Sequence, residues 1–319
     1  EEVSSEELFT LAQQSMRCIR WETWEGLIND GIDLFDKSPR EDKKSTAEDK
    51  VKDTERPLYS YSEDVRENER VDFFISHSWD DDPKAKMAAI VRVVEKYNAE
   101  HQVLGMGLKK GGPTFWFDRV CIDQSKINDG LRVLPCNIMA CNKMLILCGP
   151  EYSTRLWCVW EMCTLFALFD HYMDQLELEP VVPVKEEGGD KVAEGSYLVN
   201  KPPPTAALSL PAVSSEEKDP VQQCLEKLMT LELKDVKCYD PNEQRKIMNV
   251  IRDVGITKFE KCIHEMAENK LKQIEEEQRK EKRPSGRSSR SAVSSPCKLS
   301  EPGAVIFENP IVQKGLHMV

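Results

Sequence analysis

The sequence has no apolar run near the ~20 residues that a membrane-spanning helix requires. Its opening, Glu1-Glu2-Val3, has neither the basic start nor the apolar stretch of a signal peptide. A cytoplasmic protein without a membrane span is therefore expected, and the lack of an initiator Met suggests a processed chain or a fragment. Basic residues are in deficit: the net charge is −12 and the pI near 5.1, which argues against nucleic acid as a partner. Although there are 11 cysteines, no Cys-x-x-Cys occurs and no His stands at zinc-ligand spacing beside them. Reduced, buried thiols are expected, with no metal site and no disulfide framework. A phosphate-binding loop is also missing, because Gly105-Met106-Gly107 and Gly111-Gly112 precede a strand instead of joining a strand to a helix. Nor do the Ser, His and Asp residues form a nucleophile elbow.

What is present is enough apolar residue for a core, 40% of 319, diluted by 31% charged residues in long solvated stretches. Residues 1–36 read as an N-terminal helical segment, anchored by Leu8, Leu11, Trp21, Trp24, Leu27 and Ile28. Residues 37–70 read as a charged linker, and residues 71–268 as an α/β domain carrying a disordered insertion at 185–219. Residues 269–319 end the chain as a charged helix end and a disordered Ser/Arg-rich tail.

Within the α/β domain the first strand is expected at Val71–Ser76 and the second at residues 114–117. Residues 143–148 form an unbroken apolar run suited to a strand buried on both faces. A weaker fourth strand is expected at residues 180–184, and a fifth at residues 236–239. Pro83 opens a helix with Met87, Ile90, Val91 and Val94 on its apolar stripe. Asp240-Pro241-Asn242-Glu243 combines an N-cap, a Pro at the first helical position and a capping-box Glu, with a break expected later at Gly255. Strands alternating with helices predict a flavodoxin-like doubly wound parallel sheet of about five strands, order 2-1-3-4-5, with helices on both faces. Ligands of such sheets bind beyond the carboxyl ends of the strands. That rule selects residues 76–82, 118–130 and 149–157.

The helix after Ser153 holds the sharpest anomaly. Between Arg155 and Asp170 it is apolar nearly all round, and Glu161 is the lone charged residue in it. Burying a carboxylate costs several kcal/mol unless it is paired, hydrogen-bonded or protonated. Either an ion pair with Arg155, Lys126 or Arg119 explains it, or a ligand does.

Four motifs in order resemble the Toll/interleukin-1 receptor (TIR) family, closest to its bacterial and plant types. Phe74-Ile75-Ser76-His77-Ser78-Trp79-Asp80-Asp81 resembles the first strand and loop, with Trp79 where the bacterial motif has a small or polar residue. Trp116-Phe117-Asp118 resembles the second strand, and the loop ending at Asp129-Gly130 matches the family's BB loop in position. Tyr152-Ser153 and Trp157-Cys158-Val159-Trp160-Glu161 resemble its Ser/Trp/Cys/Glu signature. The resemblance spans residues 71–170 and, more loosely, 180–268.

The resemblance implies NAD as substrate and Glu161 as the carboxylate that cleaves its nicotinamide–ribose bond, in signalling or defence. It further implies Ser76, His77, Ser78, Trp79, Asp118 and Trp157 as substrate-binding candidates. Asp123, Gln124, Asp129 and Gly130 become BB-loop residues for self-association into a homo-oligomer. Neither a metal nor a bound cofactor is expected. For each residue a plainer role stands beside the functional one: core packing for Trp157, strand-end capping for His77, helix capping for Ser76 and Ser78, and loop bracing for Asp118. Two other functions remain open, a non-catalytic adaptor acting by self-association and, on fold analogy alone, a nucleoside or ribosyl transferase.

Overall fold

The computed structural model describes residues 16–36, 57–66, 69–103, 105, 109–123, 133–168, 172–182 and 219–281. The expected linker core, most of the insertion, the Ser/Arg tail and three of the four BB-loop residues (Gln124, Asp129 and Gly130) lie outside them.

The strands are β1 (Arg17–Arg20), β2 (Glu63–Asp64), β3 (Val71–Ser76), β4 (Thr114–Trp116), β5 (Cys141–Cys148) and β6 (Leu176–Pro180). They form one six-stranded sheet in the order β2-β1-β4-β3-β5-β6. The four strands β4, β3, β5 and β6 run parallel, with Phe73 opposite Phe115, Ile75 opposite Leu145 and Met144 opposite Leu176. β3 is buried along its whole length, and β5 from Met144 onward, as the centre of a doubly covered parallel sheet requires.

The helices are α1 (Trp21–Asn29), α2 (Pro83–Val103), α3 (Asp118–Cys121), α4 (Leu134–Met139), α5 (Leu156–Leu168), α6 (Tyr172–Gln175), α7 (Pro220–Met229), α8 (Pro241–Val254) and α9 (Ile256–Glu281). They cover both faces. Phe73 meets Tyr97 of α2, whereas Ser76, of opposite parity on the same strand, reaches Glu161 of α5. α5 is itself overlaid by α9, whose Phe259 stacks on Trp160. A layer on each side explains why α5 is apolar nearly all round. Asp240 caps α8 by accepting a hydrogen bond from the Asn242 N–H at 2.8 Å. Gly255, at φ 105°, separates α8 from α9 as expected. Among the described residues no helix is long and apolar enough to cross a membrane.

Three expectations are corrected. Residues 17–20 form a strand instead of helix, pairing antiparallel with β4 (Ile19 opposite Phe115) and with β2. Cys18 and Ile19 are buried there between two half-buried arginines, and so short an apolar pair has no period that separates strand from helix. The fourth parallel strand is Leu176–Pro180, upstream of the Pro-flanked run. Two glutamates lie in it, and both are paired: Glu177 with Lys96 and Lys143, and Glu179 with Arg92. Residues 236–239 contribute only an isolated parallel bridge, Lys237 to Arg155, so the fifth parallel strand is absent from the described residues.

Candidate functional site

β3 lies between β4 and β5, so the chain order reverses beside it, and in such sheets ligands bind past the carboxyl ends of the strands at that point. The loop 77–82, the turn into α3, and the segment from Gly149 to α5 converge there. Gly149 allows the closest approach: a Cβ on it would stand 2.1 Å from Asp81 Oδ2. Asp81 in turn accepts the Glu151 N–H at 3.0 Å, tying the loops after β3 and β5 together.

Ser76, the last residue of β3, donates from Oγ to Glu161 Oε2 at 2.5 Å and lies 2.8 Å from the Tyr152 hydroxyl. Tyr152 is fully buried, and its hydroxyl reaches the Cys158 carbonyl at 3.4 Å. The Glu161 side chain keeps partial contact with solvent. Burial of its carboxyl nevertheless pushes the pKa from 4.5 to about 8; the Ser76 hydrogen bond opposes the rise, and the negative charge of Asp118 adds to it. Arg155 does not neutralise Glu161. It pairs with Asp80 at 3.2 Å and lies over the Tyr239 ring at 3.6 Å. Arg119 lies over Trp79. Among the described residues, no ion pair reaches Glu161, and Lys126 is outside them.

The remaining expected residues divide into two groups. His77, Trp79 and Asp118 are brought together: Trp79 Nε1 donates to Asp118 Oδ2 at 3.3 Å, and His77 Nε2 lies 3.8 Å from Asp118 Oδ1. Both ring nitrogens of His77 are buried without a hydrogen bond. Ser78 serves the loop, its Oγ accepting the Asp80 N–H at 3.1 Å, while its carbonyl accepts from Lys86 Nζ at 2.9 Å. Trp157 is half-buried and donates from Nε1 to Glu243 Oε2 at 2.8 Å, which ties α5 to α8. Asp123 is half-buried just beyond α3.

The sequence reading omitted several residues of this region. Tyr152, named in the sequence only as part of the signature motif and given no site role there, supports Ser76. Lys86 is fully buried, its ammonium 5.0 Å from the Phe35 ring centre. Its position one turn before Ile90 and two before Val93 places it on the inward stripe of α2, and that spacing was the available signal. Phe35 and Trp24 form the outer wall, Phe35 lying edge-on to His77 at 5.3 Å and Trp24 stacking on Phe117 at 5.5 Å. Nothing in the sequence pattern connects them to β3 or β4.

A separate cavity of about 210 Å³ lies toward the amino ends of β3, β5 and β6, lined in part by Asp72, Tyr97, His101 and Lys143. Of its lining charges, Lys96 and Lys143 pair with Glu177, and Asp72 pairs with Lys109. Among the described residues, no group of three or more His, Cys, Asp or Glu is placed to hold a metal ion. No protein-family model, curated protein or solved structure compared with the chain matches it.

Proposed function

We propose that the chain is a TIR-like protein that hydrolyses NAD at the nicotinamide–ribose bond, with Glu161 as the catalytic carboxylate. The observation that carries this reading is a desolvated carboxyl at the carboxyl edge of a parallel sheet, oriented by Ser76 and, among the described residues, without a counter-cation. The chemistry asks little more of the protein. Nicotinamide departs as a neutral ring from a cationic pyridinium and takes the electrons of the C1′–N bond, so no group has to protonate it. Ordinary glycosidases differ in needing two carboxylates. The ribosyl centre becomes oxocarbenium-like, and a fixed anion beside it favours the transition state. Water then adds to C1′ and a proton leaves to solvent.

Burial raises the Glu161 pKa to about 8, which favours its protonated form at neutral pH before substrate binds. A bound pyridinium is an adjacent positive charge, which favours the ionised carboxylate. Substrate binding therefore drives off the proton that would otherwise silence the group. Self-association and a signalling or defence role are carried into the proposal by the resemblance alone.

The test is nicotinamide release from NAD at high protein concentration, comparing wild type with Glu161→Gln between pH 6 and 9. Wild type should release nicotinamide, with kcat/KM rising about tenfold per pH unit up to roughly pH 8 and levelling above it. Glu161→Gln should lose at least about 100-fold while its far-ultraviolet circular dichroism is unchanged. No release by wild type anywhere in that range, or equal activity of the variant, overturns the reading.

A further inference from the structure

Trp79 stands on the loop leaving β3 and is half-buried. Its indole is held from several sides. Nε1 is fixed on Asp118, Phe117 stacks nearly parallel at 5.9 Å between ring centres, and His77 meets it edge-on at 4.5 Å. Two cations approach the ring. Lys86 Nζ is 5.4 Å from its centre, but Lys86 is fully buried and engaged with the Ser78 carbonyl. The second is Arg119, whose guanidinium carbon lies 5.6 Å from the ring centre and whose side chain is half-buried. An aromatic face with a carboxylate at its rim thus already carries a planar, delocalised cation.

We propose that Trp79 and Asp118 form a seat for a planar organic cation, and that Arg119 occupies it in the resting protein until a ligand displaces it. The NAD reading enters only in naming the natural occupant, which would be the pyridinium ring. The physical basis is general. The negative face of an indole attracts a cation, most strongly where water is excluded, and a carboxylate beside it adds to the attraction. Delocalised cations are weakly hydrated, so they enter such a seat at little desolvation cost. A neutral ring of the same shape gains the stacking but not the charge interaction.

His77 supplies an independent sign that the seat is incomplete at rest. Its side chain is 3% exposed, neither ring nitrogen has a hydrogen bond, and Nε2 stops 3.8 Å from Asp118 Oδ1. Native structures rarely leave a buried polar group unmatched. A ligand bearing an amide beside its cationic ring would supply the missing partner.

The probes are 1-methylnicotinamide, a planar cation with no ribosyl bond to cleave, and neutral nicotinamide. Binding of each to the full chain is measured by isothermal titration calorimetry. The cation should bind about tenfold more tightly than the neutral ring. Asp118→Asn should reduce that preference several-fold, and Trp79→Phe should weaken the cation while keeping a ring in the packed position. Arg119→Gln should tighten cation binding several-fold, because a competing internal occupant lowers apparent affinity by the fraction of time it holds the site. Equal affinity for the two probes, no binding of either, or weaker cation binding by Arg119→Gln overturns the proposal. Cation binding by a preparation that does not cleave NAD would leave the seat standing and remove the NAD reading. NAD cleavage without cation preference would do the reverse.

Discussion

At the scale of the residue, Glu161 shows how one anomaly in a sequence becomes a quantity. Its isolation among apolar neighbours on α5 was legible from the helical pattern, whereas the state of its proton was not, because that depends first on burial by the surrounding elements and then on Ser76 and Asp118 arriving from two of them. The raised pKa also links the group to stability. Folded Glu161 holds its proton up to about pH 8, while the unfolded group loses it near 4.5, so the folded state binds more protons between those values. Stability is therefore lost as pH rises through that window. Glu161→Gln cannot ionise and should escape the loss. Chemical denaturation at pH 5 and pH 9 should show the variant gaining on wild type by about 2–3 kcal/mol at the higher pH, less than the full shift implies because the side chain retains partial solvation. A gap that stays constant with pH would show that the carboxyl is not desolvated.

At the scale of the element, the helix starts and stops were the most legible features, since a cap or a glycine acts within one turn. Asp240-Pro241 opens α8 and Gly255 ends it, as local chemistry dictates. Strand β6 was missed because its glutamates find lysine and arginine partners on α2 and β5, and no local window contains those partners. The approach of two loops is likewise a property of a pair of elements. Gly149→Ala would drive a methyl group into the buried Asp81 carboxylate and should cost about 1–3 kcal/mol, read as a lowered thermal midpoint. Combined with Asp81→Ala, the effect should be clearly less than additive, since the clash disappears with the carboxylate. Additive losses in the double mutant would place the strain elsewhere.

At the scale of the whole molecule, residues 16–36 are part of the α/β body, β1 in its sheet and α1 packed against it, and not a separate helical segment. β1 covers the free edge of β4, and Ile19, Trp24, Leu27, Leu34 and Phe35 are buried. At ~2 kcal/mol for each fully buried large side chain, these contribute on the order of 10 kcal/mol, comparable with the whole stability of a domain. A chain lacking residues 1–36 should therefore fail to fold cooperatively, or should aggregate through the bared β4 edge, as size-exclusion chromatography and thermal melts would reveal. A sharp melt within a few degrees of the full chain would restore the reading of residues 71–268 as self-sufficient. The alternation of strands and helices determined the α/β class, the parallel sheet centred on β3, and the edge where polar groups gather, because hydrophobic period and caps are local and repeat along the chain. Only the tertiary structure decided that Arg155 serves Asp80 instead of Glu161, that Trp157 ties α5 to α8, and that Phe35 closes on His77. The reason is physical: such pairings join residues far apart in sequence, and packing selects among partners that composition makes equally available.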